Sequence, residues 1–145
     1  IYLIVAGKDN PKKVTFGSNI VQKNTLFLGP VANMDDIYPG AETLIHPTLN
    51  DTYGMVVVES MLHQLSVIVS NKKYCGVSEY INKDEAVILD DPRDAINLSK
   101  SIDFLHTNIE QRDSIAQNGF KKAKTYTWEH TLAQTLKAYQ ESIDT

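Results

Sequence analysis

Five short, largely apolar runs, separated by polar loops and helical stretches, limit most strongly the folds open to this chain. They cover residues 1–6, 25–28, 43–46, 66–69 and 86–89. Each is too short for a typical helix, and the first is apolar throughout, as expected for a strand buried on both faces. Strands that alternate with helical segments predict an α/β fold, here a Rossmann-like, doubly wound parallel sheet.

The segments between and after these strands are predicted from caps and spacing. Asn33 is expected to cap a short helix, residues 20–22 to form another, and residues 8–17 to be loop. After Leu89 the pattern is helical only, which predicts C-terminal helices that begin at Asp91-Pro92, Asn108 and Thr127. The last helix is expected to dock on the core through an apolar stripe formed by Trp128, Leu132, Leu136, Tyr139 and Ile143.

Length and charge restrict the class of protein. A chain of 145 residues is expected to form a single domain. The net charge of −4 argues against a nucleic-acid platform, and no apolar run reaches the length of a membrane span. The single cysteine, Cys75, excludes an internal disulfide and suits a reducing cytosol. Because Ile1 already stands inside an apolar run, we expect this chain to be part of a longer protein.

The segment from Pro47 to Gln64 combines a strand end, a polar loop, a glycine and a helix. Pro47 ends the third strand, Asn50 and Asp51 favour a loop, and Gly54 permits close approach of the backbone before a helix over residues 55–62. Such a junction directs free backbone N–H groups and the positive end of a helix dipole toward one point. The segment therefore predicts an anion site.

Two carboxylates flank this predicted site, Asp51 before the turn and Glu59 within the helix. They would repel a phosphate but can accept hydrogen bonds from sugar hydroxyls. A ligand with both an anionic linker and several hydroxyls is a nucleotide sugar. The alternatives are that Glu59 is a solvated residue at the edge of an amphipathic helix and that Asp51 caps the helix after it.

Other reactive side chains give weaker indications. The four histidines show no metal-ligand spacing, so no metal site and no cofactor is expected. His46, at a strand end, lies where it can reach a ligand or serve as a hydrogen-bonded structural histidine. Cys75 is interpreted as a packed thiol, because no histidine partner is placed beside it in the sequence. The glycine motifs of dinucleotide dehydrogenases and P-loop ATPases do not occur.

Several motifs in order give the chain a resemblance to a known family. They are Phe27-Leu28-Gly29-Pro30-Val31, Tyr38-x-x-Ala41, His46-Pro47, Asp51-x-Tyr53-Gly54 followed by Glu59, Val67-Ile68-Val69-Ser70, and Tyr126-Thr127-Trp128-Glu129. Together they resemble the C-terminal, donor-binding domain of family-four retaining glycosyltransferases, which is half of a GT-B fold. His46-Pro47, Cys75-Gly76 and Tyr80-Ile81 resemble more narrowly the lipopolysaccharide-core glucosyltransferases.

The resemblance implies a role for each site residue. Glu59 would hold the ribose hydroxyls, and Asp51, the catalytic candidate, would meet the donor sugar. The remaining donor-binding candidates are the backbone N–H groups of Tyr53, Gly54, Met55 and Val56, the main chain near Val31, and His46. The chain departs from the family pattern where Asp51 replaces the usual Glu and where Gln64 and Ser66 replace Gly and Pro.

The resemblance also implies the activity of the whole protein. It would transfer a sugar from a nucleotide-diphosphate donor, a UDP-sugar such as UDP-glucose, to a glycan or glycolipid held by a domain outside this chain. No metal is expected, and the setting would be cytoplasmic, at the inner face of a membrane, in lipopolysaccharide biosynthesis. Because the family's basic residues would precede Ile1, this chain alone is expected to be inactive. The alternatives are a nucleotide-sugar epimerase of the same architecture and a non-catalytic interaction module.

Overall fold

The computed structural model describes residues 1–8 and 23–143. The chain divides into two compact units, Ile1–Ile37 and Tyr38–Thr145. The short helix predicted at residues 20–22, and nearly all of the loop predicted at residues 8–17, lie outside the described residues. No helix within the described ranges is long and apolar enough to cross a membrane.

The first unit contains two parallel strands, β1 (Leu3–Ala6) and β2 (Thr25–Gly29). Both strand predictions are confirmed within two residues. Gly29 ends β2 with φ of +68°, a conformation that favours glycine. A short 3₁₀ helix, Met34–Asp36, follows, and the Asn33 side chain accepts a hydrogen bond from the N–H of Asp35. Asn33 is therefore the helix cap that was predicted.

The expectation that the first strand is buried on both faces is wrong for this unit. Leu3 and Ile4 are 40% and 41% exposed, and Tyr2, just before β1, is 83% exposed. The two strands share backbone hydrogen bonds along one edge of each, and such a ladder covers edges rather than faces. The apolar run thus predicted the strand correctly but overestimated how much of it is covered in this unit.

The second unit is built on a three-stranded parallel sheet. Its strands are β3 (Thr43–His46), β4 (Ser66–Ser70) and β5 (Val87–Leu89), in the order β3-β4-β5. All five residues of the central strand β4 are buried. The parallel arrangement and the positions of all three strands agree with the sequence predictions.

Two hydrophobic clusters cover the second unit's central strand. In β4, Val67 and Val69 belong to one cluster and Ile68, between them, belongs to the other. Since neighbouring side chains of a strand point to opposite faces, β4 is buried on both faces. The first cluster includes Val57, Met61, Cys75, Val77 and Ala123, and the second includes Leu89, Leu105 and Ile115.

The described α-helices of the second unit are α1 (Met55–Leu62), α2 (Ala95–Thr107), α3 (Ile109–Ala123) and α4 (Trp128–Ile143), and two 3₁₀ helices span Tyr38–Gly40 and Gly76–Glu79. The predicted starts at Asn108 and Thr127 are confirmed. The start of α2 at Asp91-Pro92 was wrong by three residues. Asp94 caps this helix by accepting the N–H groups of Ile96 and Asn97, whereas Asp91 closes a separate turn by accepting the N–H of Arg93. Both aspartates suit a cap, and the earlier one was chosen because Pro92 follows it.

The predicted docking of the last helix on the core is also wrong. No residue of α4 is buried, and Trp128 is 86% exposed. Tyr126, just before α4, is the point at which the chain leaves the first hydrophobic cluster. The helical spacing of the stripe is real, but none of the described elements buries it.

Candidate functional site

The loop that leaves β3 is bound firmly to the loop that leaves β4. The N–H of Asp51 donates to the carbonyl of Tyr74 at 2.9 Å, and the N–H of Gly76 donates back to the carbonyl of Asp51 at 3.1 Å. The N–H of Val77 donates to the carbonyl of Tyr53 at 2.7 Å. Because parallel strands carry both loops at their carboxyl ends, the loops meet at one edge of the sheet, where α/β folds bind ligands.

Two glycines make this close approach possible. A Cβ atom at Gly76 would overlap the carbonyl oxygen of Thr52 in the facing loop. Gly54 has φ of +87°, and a Cβ there would lie 2.8 Å from the Sγ of Cys75. Gly54 immediately precedes α1 in a left-handed conformation, so the predicted glycine turn and the helix after it are both present.

The Asp51 carboxylate is held at both oxygens. Oδ2 accepts a hydrogen bond from Nε2 of His46 at 3.0 Å. Oδ1 accepts the backbone N–H groups of Tyr53, at 3.2 Å, and Gly54, at 2.8 Å. The side chains of Asp51 and His46 remain 30% and 23% exposed. Asp51 therefore braces the turn before α1, which is close to the capping role considered from the sequence, and keeps part of its surface open to solvent.

Opposing effects set the pKa of Asp51. Partial burial raises the pKa, while the hydrogen bonds from His46 and from the N–H groups of Tyr53 and Gly54 lower it. The net shift is downward from the usual 3.8. A carboxylate with a lowered pKa stays ionised and is suited to accept hydrogen bonds rather than to donate a proton.

Cys75 joins His46 and Asp51, although no histidine stands beside it in the sequence. Its side chain is buried. A ring nitrogen of His46, a carboxylate oxygen of Asp51 and the Sγ of Cys75, all atoms that can ligate a metal, lie within 4.8 Å of one another. Burial first, and then the negative charge of Asp51, raise the pKa of the thiol. A neutral packed thiol agrees with the sequence interpretation. Linear spacing could not reveal the group, since its members come from two loops that meet only in the fold.

The start of α1 leaves donors available. In the described part of the chain, the N–H groups of Met55 and Val56 donate no hydrogen bond. The N–H groups of Tyr53 and Gly54, by contrast, are already bonded to Asp51. Of the four amides predicted to face the donor's sugar and diphosphate, the two of Met55 and Val56 are free of described partners at the positive end of the helix, and the other two position the turn.

Glu59 lies further along α1 and has a partner that sequence reasoning missed. Its carboxylate accepts a hydrogen bond from the hydroxyl of Tyr38 at 3.1 Å, and the Glu59 side chain is exposed. With a rise of about 1.5 Å per residue, Glu59 stands roughly 5–6 Å along the axis from the free amides. The signal that could have revealed this contact is Tyr38 itself, because a tyrosine that becomes buried needs a hydrogen-bond partner for its hydroxyl.

The remaining site predictions are less closely grouped. Val31 belongs to the first unit and is half-buried there.

An open cavity of about 540 Å³ lies at β5, α2 and α3, lined by Val87, Phe104 and Ile115 among others, and no predicted site residue lines it. The second unit thus brings together His46, Asp51, Tyr53 and Gly54, with Glu59 on the helix that follows.

Comparison with known proteins assigns the family. The model for glycosyl transferases group 1 matches residues 1–122. The chain belongs to this family. Among curated relatives, O-antigen chain mannosyltransferase B of Escherichia coli is 27% identical over 116 residues, which is 79% of this chain and 29% of that protein. D-inositol 3-phosphate glycosyltransferase of Paenarthrobacter aurescens is 22% identical over 106 residues, or 73% of this chain and 26% of that protein. The chain thus spans less than a third of the length of these relatives.

Solved structures of this fold agree with the assignment. HepE of Anabaena in complex with UDP has a TM-score of 0.78 at 18% identity, covering 98% of this chain and 41% of that one. WaaG, a glycosyltransferase involved in lipopolysaccharide biosynthesis, has a TM-score of 0.74 at 21% identity, covering 93% of this chain and 36% of that one. The chain is therefore a portion of a GT-B glycosyltransferase fold.

One departure from the family pattern has a structural consequence. Gln64 has φ of +60°, the left-handed conformation that favours glycine, at the position where the resemblance led us to expect glycine. The turn between α1 and β4 is thus retained without the residue that adopts it most easily.

Proposed function

We propose that this glycosyl transferases group 1 chain binds the nucleotide-diphosphate sugar of a retaining hexosyltransferase. The observation that carries the proposal is the opening of α1, where two free amides lie between the fixed Asp51 turn and the exposed Glu59 carboxylate. That geometry suits a diphosphate at the helix start and sugar hydroxyls at the carboxylates. The whole protein would transfer the hexose to a glycan or glycolipid bound by a domain outside this chain.

The donor is proposed to be a UDP-sugar. Support comes from the solved structures of HepE, one in complex with UDP and another in complex with UDP-glucose. UDP-glucose and a role in lipopolysaccharide biosynthesis are favoured because WaaG shares the fold and the His46-Pro47 and Cys75-Gly76 motifs resemble lipopolysaccharide-core enzymes. A glycolipid acceptor would place the whole protein in the cytoplasm at the inner face of a membrane.

In the proposed reaction the chain stabilises charge without a covalent nucleophile. As the bond to the diphosphate breaks, negative charge develops on the leaving oxygen, and the free N–H groups of Met55 and Val56 would stabilise it. Asp51, kept ionised and held by His46, would orient the sugar as positive charge develops on its ring. We propose that no metal is needed, so EDTA should leave transfer by the whole protein unchanged.

Titration calorimetry with UDP tests the donor site. We expect saturable binding that Glu59→Ala weakens by at least about tenfold, because charge-assisted hydrogen bonds to the ribose are lost. Glu110→Ala is the matched control, since Glu110 is also an exposed helical glutamate but lies on α3. No binding of UDP at millimolar concentration would contradict the proposal and favour an interaction module. Product analysis of the whole protein with UDP-glucose and a heptose-bearing acceptor separates a transferase from an epimerase.

A further inference from the structure

Tyr38 is a buried residue whose hydroxyl contacts an exposed carboxylate of the proposed donor site. It opens a 3₁₀ helix, Tyr38–Gly40, before β3, and its side chain is only 3% exposed. Its hydroxyl nevertheless reaches an exposed side chain, because it donates to Oε2 of Glu59 at 3.1 Å. The bond therefore connects the buried interior of the second unit with the carboxylate proposed to hold the ribose.

The two partners differ in how freely they move. The Tyr38 ring is enclosed and lies 5.0 Å from the ring of His63, with the two planes inclined at 32°. Its hydroxyl is thus a fixed point. A glutamate on a helix surface has several rotatable bonds and loses considerable entropy when a ligand fixes it. A hydrogen bond from the fixed phenol restricts the carboxylate before any ligand arrives.

The bond leaves room for the ligand. A carboxylate has two oxygens with about four acceptor positions, and Tyr38 uses one of them. Elsewhere in the described residues Glu59 has no ion-pair or hydrogen-bond partner for its side chain. A pair of neighbouring ribose hydroxyls needs two acceptors, so Tyr38 and the ribose can be bound at the same time.

We propose that Tyr38 is a positioning residue that orients Glu59 toward the ribose of the nucleotide. Tyr38 does not need to touch the ligand, because its effect passes through the carboxylate. This inference rests on the proposed function, since it assumes that Glu59 accepts the ribose hydroxyls. It adds a residue that sets affinity for ribonucleotides over nucleotides without those hydroxyls.

The test is titration calorimetry of wild type and Tyr38→Phe with two nucleotides, UDP and 2′,3′-dideoxy-UDP. Phenylalanine keeps the ring and removes only the hydroxyl. We expect Tyr38→Phe to weaken UDP about three- to tenfold, the range for loss of a single hydrogen bond. Binding of the dideoxy nucleotide should be unchanged, because it offers Glu59 nothing to hold. Tyr139→Phe, which removes an exposed hydroxyl on α4, should change neither affinity.

Each other outcome has a distinct meaning. Equal UDP affinity in wild type and Tyr38→Phe would overturn the inference while leaving the donor site intact. Equal weakening of both nucleotides would also overturn it, because the hydroxyl would then support the fold of the site rather than Glu59. If wild type prefers UDP over the dideoxy form and Glu59→Ala removes that preference, the proposed function holds whatever Tyr38→Phe does. Absence of UDP binding to wild type would overturn both proposals.

Discussion

Helices α3 and α4 have a similar sequence pattern, but α3 is partly buried and α4 is exposed. Both are amphipathic, and they have 15 and 16 residues. In α3 the buried residues are Ile115, Ala116, Gly119 and Ala123, whereas α4 buries none. The interface of α3 is mostly small, and a Cβ at Gly119 would lie 3.1 Å from the carbonyl oxygen of Glu85 and 3.2 Å from the Met61 side chain.

The stripe on α4 has a different composition. It consists of large residues that are between 55% and 86% exposed: Trp128, Leu132, Leu136, Tyr139 and Ile143. Periodicity therefore indicates that a segment is helical, while the size of the residues on its apolar face indicates how closely it can approach a neighbour. Small residues on α3 admit the side chains of α1, and the bulky stripe on α4 has no such partner among the described elements.

The largest expected effect tests the packed side of this comparison. Met61 is fully buried on α1, against Gly119 of α3. Met61→Ala removes several buried groups and leaves a cavity, so it should lower the free energy of unfolding by about 2–5 kcal/mol. Denaturant unfolding followed by circular dichroism measures the change.

The neighbouring residue on the same helix provides the control. Leu62 is 45% exposed, and Leu62→Ala should cost less than about 1 kcal/mol. Similar losses for the two variants would mean that α1 and α3 are not packed as described, and the contrast between α3 and α4 would lose its basis.

Much of the fold was predictable because its signals are local. The five strands, the glycine turn at Gly54 and the bounds of α1 followed from apolar runs and turn residues that act over a few positions. The cap of α2 was missed because Asp91 and Asp94 are equally good local candidates. Only the folded conformation of the segment after β5 determines that Asp94, and not Asp91, caps α2.

The site was predictable only in part, for a related reason. Asp51, Gly54 and Glu59 lie within one continuous stretch, and their spacing resembles a known pattern. Tyr38 and Cys75 come from other segments, 21 residues before Glu59 and 24 residues after Asp51. The contact of Cys75 depends on how β3 and β4 pair, and that of Tyr38 depends on how α1 packs beside the segment before β3. Linear spacing contains neither.

A second test compares two carboxylates whose pKa values are both lowered. Asp51 lies in the packed part, whereas Glu129 opens the exposed α4, where its own backbone N–H and Thr127 lower the pKa. For Asp51, the lowered folded-state pKa stabilises the fold above the ordinary value of 3.8, and this stabilisation is lost as pH falls through the folded value. The difference in unfolding free energy between wild type and Asp51→Asn should therefore shrink below about pH 4.

The same pH series on Glu129→Gln separates the two regions. Because α4 makes no buried contact, ionisation of Glu129 should have little influence on unfolding of the core, and its curve should follow wild type at every pH. A Glu129→Gln curve that departs from wild type as strongly as that of Asp51→Asn would show that α4 unfolds together with the core.

The smallest expected effect tests the exposed side of the comparison directly. Leu132 is 60% exposed in the middle of the α4 stripe, so Leu132→Ala should change the free energy of unfolding by no more than about 0.5 kcal/mol. Trp128 is the single tryptophan of the chain, and its fluorescence should be that of a solvated indole and be quenched readily by iodide. A loss above about 1 kcal/mol for Leu132→Ala, together with a protected Trp128, would mean that the stripe is covered in solution. The difference in burial between α3 and α4 would then reflect only the contacts available within a single chain.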